Sequence, residues 1–394
     1  MRWWVDFNVL SEKQKWALSN IRNQFQSSHW IQGFAGTGKS LVLLHLMEQM
    51  SIANPNSTVC FITYTNALTA LVASTPLVEK AKNRFVIQTH TKFLGDRKKF
   101  DFVFLDEVQD IGVDDLTKIK NLSGKLYIAG DPDQKIYDND LKANDIINLL
   151  NPQISELNEV FRLTPRLCKV AQSILPEARL VAGLYARTNA NATIHLMHAN
   201  SVDTECAWVW KEAIARARPG DPSVILFPHH DNIYDFAYCV SRFLAKLTPP
   251  RPRMLRNRRD YTLFNAHFKN QDVPLVYLGS GFGSLTDSDY KPIVYFMTYH
   301  SAKGLDFKSV FIPFLNDDAV IVRPANLLKN PGLDRRLLFV AVTRSRENLF
   351  ISYSGSKCHY LLSNLPNDAV VKAEIGGTNL VSGNVDDNDE EEFF

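Results

Sequence analysis

The chain has few cysteines and no long apolar run. Its five cysteines, at positions 60, 168, 206, 239 and 358, are widely spaced and form no C-x-x-C pair. An odd, dispersed set argues against a disulfide framework and against a zinc site, and it fits a reducing compartment. No uninterrupted apolar run approaches the roughly 18 residues of a membrane span, and the first residues lack the apolar core of a signal peptide. The sequence therefore predicts a cytoplasmic protein with no membrane segment.

The chain also has little net charge, +2 over 394 residues, but its acidic residues are unevenly placed. Residues 376–394 hold six acidic residues and no lysine or arginine. The remainder is therefore moderately basic, which suits a polyanionic partner, although many proteins without such a partner are mildly basic.

Short β-branched apolar runs alternate with segments of helical periodicity, such as Leu41–Met50 and Ile233–Leu247. This alternation predicts parallel sheets covered by helices on both faces. It forms two blocks, which predict domains at residues 1–150 and 151–366, and the Gly-, Asn- and acid-rich residues 367–394 predict a disordered tail. The runs predicted as buried strands are Thr58–Thr63, Phe102–Leu105, Leu126–Ala129, Ser223–Phe227, Ile293–Met297 and Ser309–Ile312.

A phosphate-binding loop is predicted at Gly33–Ser40, which has the pattern G-x-x-x-x-G-K-S. It follows a short apolar run and precedes a helical one, the context that the motif requires. Glycines allow the backbone N–H groups and the helix N-terminus to point at phosphate oxygens. Lys39 would reach the β- and γ-phosphates, and Ser40 would ligate Mg²⁺.

Two carboxylates follow the predicted strand at Phe102–Leu105, in the segment Leu105–Asp110. Asp106 is placed to hold the Mg²⁺ shell, and Glu107 is placed to orient or deprotonate an attacking water. The alternative is a solvated acidic turn. Two carboxylates at a strand end favour nucleotide hydrolysis over binding alone.

The motifs occur in an order that resembles superfamily 1 helicases of the UvrD/Rep/PcrA-like branch. The resemblance covers about residues 8–352 and implies two tandem RecA-like P-loop NTPase domains, α/β in class, with parallel sheets flanked by helices. It implies ATP and Mg²⁺ as ligands. The segments that carry it are Gly33–Ser40, Leu105–Asp110, Gly130–Tyr137, Asn158–Arg162, Thr298–Phe307 and Arg335–Arg346.

The resemblance also implies roles around the nucleotide. Gln14 matches the glutamine that reads adenine, and Phe161 matches the aromatic residue that stacks on the base. Gln134 would sense the γ-phosphate, and Arg162 and Arg344 would approach it from the second lobe, where positive charge stabilises the transition state. The catalytic set is then Lys39, Glu107, Gln134, Arg162 and Arg344, with Ser40 and Asp106 on the metal. The nucleotide-binding set is Gln14, Gly33, Gly36, Thr37, Gly38, Lys39, Ser40, Phe161, Gly304 and Asp306, with Asp306 standing where the family usually has a ribose-contacting Glu.

Contacts to a single strand of nucleic acid are implied by the same resemblance. Hydroxyls and imidazoles suit backbone phosphates, and a tyrosine ring suits base stacking. For each residue the alternative is a strand-end polar side chain with a local hydrogen bond. Acidic and amide residues follow Tyr137, where the family places a stacking Trp. The implied contacts are Thr63, Tyr64, Thr89, His90, Tyr137, Thr298 and His300.

Two insertions that typical relatives carry are missing. Only 15 residues separate His90 from Asp106, and Val273–Gly281 leads almost directly to Ile293. Because duplex separation in the family depends on those accessory domains, translocation is a safer expectation than strong unwinding.

Two features are particular to this chain. Residues 251–259 hold five arginines, and Tyr261 and Phe264 follow them. This cluster fits either a phosphate grip with neighbouring aromatic rings or a solvated basic loop. The acidic end Asp386–Phe394 fits either a docking segment for a protein partner or a solubilising end.

The expected function is therefore an ATP-dependent helicase or translocase on single-stranded DNA, with 3′-to-5′ movement implied by the resemblance and RNA left open. One alternative is a nucleic-acid-stimulated ATPase that switches a partner, such as a nuclease, without travelling. A non-catalytic, ATP-gated binding subunit is a third, which the presence of Lys39, Glu107, Arg162 and Arg344 disfavours.

Overall fold

The computed structural model describes residues 4–23, 27–34, 36–80, 84–131, 141–161, 163–178, 192–255 and 258–376. Its helices are α1 Glu12–Asn23, α2 Lys39–Ala53, α3 Asn66–Ala73, α4 Pro76–Lys80, α5 His90–Asp96, α6 Val113–Asn121, α7 Ala143–Leu150, α8 Pro165–Ile174, α9 Val202–Arg216, α10 His230–Phe243, α11 Thr262–Asn270, α12 Pro324–Lys329 and α13 Leu333–Val342. Its strands are β1 His29–Gly33, β2 Val59–Thr63, β3 Phe85–Thr89, β4 Phe100–Leu105, β5 Ser123–Ala129, β6 Gln153–Leu157, β7 Thr193–Ala199, β8 Ser223–Phe227, β9 Arg253–Leu255, β10 Arg258–Asp260, β11 Leu275–Tyr277, β12 Val294–Thr298, β13 Phe307–Ile312, β14 Ser345–Ser354 and β15 Val371–Glu374.

The strands form two parallel sheets. The first has the order β3-β2-β4-β5-β1-β6, and the second has the order β11-β12-β8-β13-β14-β7-β15. All the pairings within both sheets are parallel. Helices connect the strands, so the predicted α/β class with two parallel sheets is confirmed.

The central strands are buried on both faces, which explains why the predicted runs are continuously apolar. All five residues of β2, β8 and β12 are buried. The six predicted strands correspond to these three and to β4, β5 and β13. The two predicted helices correspond to α2 and α10.

Each sheet includes a strand that lies beyond the end of its predicted domain, at residue 150 or 366. β6 pairs with β1 from His29↔Gln153 to Gly33↔Leu157, so the first sheet continues past residue 150. β15 pairs with β7, so the second sheet continues past residue 366. We propose that the first domain ends after β6 and that the second includes β15.

The arginine-rich segment is a two-stranded antiparallel hairpin of β9 and β10. The aromatic residues after it are buried, so they do not supply the neighbouring rings of the phosphate-grip interpretation, one of the two left open by the sequence. Tyr261 and Phe264 are 0% and 1% exposed and belong to the core of the second lobe. Tyr261 instead stacks on Tyr277 with ring centroids 3.5 Å apart.

Some predicted positions lie outside the described residues: Gln134, Tyr137, Arg162, Arg256 and the acidic end Asp386–Phe394. Within the part of the chain that is described, no helix has both the length and the apolar character needed to cross a bilayer.

Candidate nucleotide-binding site and nucleic-acid cleft

The predicted phosphate-binding loop lies between β1 and α2, at the carboxyl end of the first sheet. Gly36 and Gly38 have φ of 80° and 82°, in the left-handed region that favours glycine. At Gly38 a Cβ atom would also lie 2.5 Å from Nε2 of Gln14. The loop therefore needs glycine at this position for both conformation and space.

Lys39 lies at the start of α2 with its ammonium inside the loop. Its Nζ donates to the carbonyl oxygens of Gly33 at 2.8 Å and Phe34 at 3.0 Å. A lysine ammonium beside a helix N-terminus, where backbone N–H groups lack intrahelical partners, suits phosphate binding.

Gln14 and Phe161 both contact this loop. The Gln14 amide donates to Thr37 O at 3.0 Å and accepts from Ser11 N at 3.0 Å, and the residue is 4% exposed. The Phe161 N–H donates to Gly36 O at 2.9 Å. The two residues thus lie against the loop, and their predicted contacts with the base stay predictions.

Asp106 lies at the end of β4 and is 1% exposed. Burial raises its pKa to about 7, the Glu107 carboxylate acts in the same direction, and a hydrogen bond from Ser40 opposes both. Asp106 Oδ1 accepts from the Glu107 N–H at 3.0 Å, and among the described residues no donor reaches Oδ2. A buried carboxylate oxygen beside a serine hydroxyl fits Mg²⁺, which typically takes one or two protein oxygens and completes its shell with water and phosphate. Ser40 and Asp106 therefore suit the predicted metal role.

Glu107 has an unusual backbone, with φ of 55°. Its Oε2 accepts from Gln109 Nε2 at 2.5 Å, and the Oε1 of Gln109 accepts from Asp131 N at 3.1 Å. Burial works to raise the pKa of Glu107, but the positive charges of Lys303, Lys39 and Arg344 and the Gln109 hydrogen bond hold it below its usual value. The carboxylate is thus kept ionised and oriented.

Lys303 reaches this site from the second lobe. Its Nζ lies 2.5 Å from Asp110 Oδ2 and 3.6 Å from Glu107 Oε2, and the lysine is 3% exposed. No role was predicted from the sequence for Lys303 or Asp110. The two residues are 193 positions apart, and the only sequence signal for their pairing is that each lies within a motif segment.

Arg344 follows α13 and is also buried, at 3% exposure. Its guanidinium donates to Val340 O, Leu305 O and Thr343 Oγ1 at 2.9–3.0 Å. Its charge, like that of Lys303, helps to lower the pKa of Glu107.

Gly304 and Asp306 lie between these two groups in sequence. Gly304 has φ of 84°, and a Cβ there would lie 3.1 Å from Leu68 on the first lobe. Asp306 Oδ1 lies 3.5 Å from Nε of Arg346. The glycine therefore permits close approach of the lobes, and the ribose contact of Asp306 stays a prediction.

A cleft of about 620 Å³ contains three of the predicted strand-contact residues. Tyr64 from the first lobe and Thr298 and His300 from the second line it. Tyr64 stacks on His90, with ring centroids 4.7 Å apart. Burial, with the positive charges of His229 and Lys303, lowers the pKa of His300 to about 4.

Thr63 and Thr89 do not line this cleft. Thr63 is 0% exposed, and its hydroxyl lies 2.5 Å from that of Thr69. The Thr89 hydroxyl caps α5 by accepting from Lys92 N at 3.4 Å. At both positions the structure has a local hydrogen bond, which the sequence analysis gave as the alternative to a strand contact.

A glycine-rich loop between strand and helix, buried strand-end carboxylates and two parallel sheets define a P-loop NTPase. Two family models match the chain: the viral superfamily 1 RNA helicase core domain at residues 29–173, and the UvrD-like helicase C-terminal domain at residues 282–356. Both matches are to helicase domains, one in each lobe, so the chain is similar to superfamily 1 helicases over parts of both lobes.

Curated relatives match over short stretches. The ATP-dependent DNA helicase Rep of Buchnera aphidicola subsp. Baizongia pistaciae is 36% identical over 75 residues, 19% of this chain and 11% of that protein. DNA helicase II of Haemophilus influenzae is 30% identical over 104 residues, 23% of this chain and 14% of that protein. The matched stretches therefore span only a small part of these relatives.

A solved structure of Arterivirus nonstructural protein 10 (helicase) with DNA aligns with a TM-score of 0.42 and 14% identity. That alignment covers 90% of this chain and 65% of the viral one.

Proposed function

We propose that this chain hydrolyses ATP and uses the energy to move along single-stranded DNA in the 3′-to-5′ direction. The observation that carries the proposal is the convergence of charged groups from both lobes on Glu107. Lys303 of the second lobe lies 3.6 Å from its carboxylate, and the charges of Lys39 in the first lobe and Arg344 in the second also lower its pKa. A nucleotide bound at the loop would therefore be sensed by both sheets.

Each group has a distinct role in this proposal. Lys39 and the loop N–H groups bind the phosphates, and Glu107 orients the attacking water and takes its proton. Arg344, together with Arg162 and Gln134, stabilises the charge that develops on the γ-phosphoryl group. Mg²⁺ held by Ser40 and Asp106 would neutralise phosphate charge. Gln14 and Phe161 bind the base.

The cleft lined by Tyr64, Thr298 and His300 is the proposed path of the strand. It has walls from both lobes, so a change in lobe separation would change its grip on the strand. Two named relatives are DNA helicases, which supports DNA as the substrate. The direction of movement rests on resemblance to their branch.

The test is ATP turnover of the purified chain, alone and with oligo-dT or oligo-rU, beside a Glu107→Gln variant. We expect stimulation by oligo-dT in the wild type and a loss of turnover of at least about 100-fold in the variant, because a positioned general base contributes about 10²- to 10⁴-fold. Turnover that is absent under every condition would refute the enzyme assignment. Stimulation by RNA alone would refute the assignment to DNA.

A further inference from the structure

The arginine-rich hairpin of β9 and β10 borders the proposed strand path. Arg258 and Arg259 line the cleft together with Met254, which is 63% exposed. The register pairs Met254 with Arg259 and Leu255 with Arg258. The hairpin therefore presents an apolar side chain and two cations to the same cleft as Tyr64 and His300.

The cations of the hairpin differ in what they already contact. Arg259 Nη2 lies 2.8 Å from Asp231 Oδ1, an ion pair that ties the hairpin to α10. Arg251 lies over the Tyr234 ring, 4.7 Å from its centroid, and 4.0 Å from Asp235. Both guanidinium groups thus have acidic partners on α10.

Arg258 is held mainly by neutral groups. Its Nη1 donates to Ser280 O at 3.1 Å, and its guanidinium lies 5.2 Å from the centroid of the Phe282 ring. Asp260 is close enough to feel the charge of Arg258, but its carboxylate accepts from Thr262 N at 2.8 Å. A guanidinium has five N–H donors, so the bond to Ser280 uses a minor part of its capacity.

The position of Arg258 also brings it to the first lobe. A Cβ built on Gly281 would lie 3.5 Å from Arg258 Nη1 and 3.8 Å from Asn66 Nδ2, at the start of α3. Asn66 lines the cleft two residues after Tyr64. Arg258 therefore lies where the two lobes face each other across the mouth of the cleft.

We propose that Arg258 contacts a backbone phosphate of the strand that crosses the cleft, and that Met254, which lines the same cleft, is an apolar contact for a base. This inference rests on the proposed function and gives the hairpin a role in gripping single-stranded DNA. A fixed guanidinium facing a cleft with exposed apolar and aromatic side chains suits a flexible polyanion, because such sites combine phosphate contacts with base stacking.

The experiment measures the affinity for fluorescein-labelled oligo-dT by anisotropy over a series of NaCl concentrations. The variants are Arg258→Gln, Arg258→Lys and, as a matched control, Arg253→Gln. Arg253 is an exposed arginine on the same hairpin that does not line the cleft, so its loss changes the net charge equally.

We expect Arg258→Gln to weaken binding on the order of 3- to 10-fold at low salt. The slope of log affinity against log salt should fall by about 0.7, the value for one phosphate contact on a single strand. Arg258→Lys should retain the wild-type slope because it retains the charge. Arg253→Gln should leave the slope close to that of the wild type, since Arg253 does not line the cleft and makes no phosphate contact in this proposal.

Equal behaviour of the two glutamine variants would overturn the inference, because it would mean that only bulk charge matters. A lower slope of log affinity against log salt in Arg258→Lys would also overturn the inference. The loss of the hydrogen bond to Ser280 and of the contact with the Phe282 ring would then explain the weaker binding. In both cases strand binding by the wild type would leave the proposed function intact. Absence of wild-type binding to oligo-dT would refute both proposals.

Discussion

At the residue scale, the charge of Glu107 depends on groups from both halves of the chain. Burial alone would favour the protonated acid, which cannot act as a base. Lys303 contributes most to reversing that preference, and it also forms the shorter pair with Asp110. The carboxylate and the contact between lobes are therefore linked through one lysine.

A double-mutant cycle on Lys303 and Asp110 tests this link. Lys303→Met should lower the free energy of unfolding by about 3–5 kcal/mol, the usual cost of leaving a buried partner charge uncompensated. Adding Asp110→Asn should recover part of the loss, because the uncompensated charge is removed. Urea midpoints followed by circular dichroism measure both. Strictly additive losses would contradict a direct interaction.

Glu205 gives a pH-dependent prediction at the same scale. It is 0% exposed on α9, and its Oε1 accepts from Phe314 N at 2.8 Å and Ser352 Oγ at 2.7 Å. Burial raises the pKa of Glu205 above its ordinary value of 4.5. The folded state thus favours the protonated form, so stability should fall as pH rises from about 4.5 through the raised pKa.

Glu205→Gln should remove this dependence, because the amide oxygen retains both acceptor roles without a charge. The variant should be similar to the wild type near pH 4 and more stable at pH 8. Urea midpoints at a series of pH values measure the difference. Parallel curves for the two proteins would show that Glu205 does not titrate with folding.

At the element scale, the loop before α2 depends on glycine where its conformation is left-handed. Gly38→Ala should lower the melting temperature, since a side chain in that conformation costs about 1–2 kcal/mol. It should also weaken binding of a fluorescent ATP analogue, because the new Cβ displaces Gln14 from Thr37.

Gly95→Ala in α5 is the control, as a Cβ at that position would meet no described atom within 4 Å. That variant should be unchanged or slightly stabilised. Equal effects of the two substitutions would rule out the conformational explanation.

The strands that were predicted from the sequence are completely or largely buried. β2, β8 and β12 are continuous apolar runs because both faces are covered. β6 and β15 were not predicted, since they lie at sheet edges and contain exposed polar residues. The hairpin of β9 and β10 is three residues per strand and mostly exposed, so its pairing has no hydrophobic signal.

The parts of the candidate site also differ in how far the sequence predicts them. The phosphate-binding loop is contiguous in sequence, so its spacing alone predicts its location. The partnership of Lys303 with Asp110 arises only when the two lobes meet. The burial of Tyr261 and Phe264 likewise depends on packing in the second lobe, so the sequence could not decide whether these rings lie beside the arginines.

At the scale of the whole molecule, both proposed sites span the two lobes. Lys303 of the second lobe lies 3.6 Å from Glu107 of the first, and Tyr64 of the first lobe lines one cleft with Thr298 and His300 of the second. A change in lobe separation would therefore affect hydrolysis and strand binding together. The segment between β3 and β4 holds only the short helix α5 as regular structure, so the described core has two lobes and no inserted domain at this position.

The most direct test of the motor assignment is the dependence of ATP turnover on strand length. A travelling motor dissociates less often per step on a longer strand. The molar concentration of oligo-dT needed for half-maximal stimulation should therefore fall as the strand length increases. The maximal rate of ATP turnover should rise with length towards a plateau. The control is Glu107→Gln at every length. Stimulation that becomes independent of length as soon as the strand fills the cleft would contradict movement, and it would assign the chain to the class of ATPases that switch a partner.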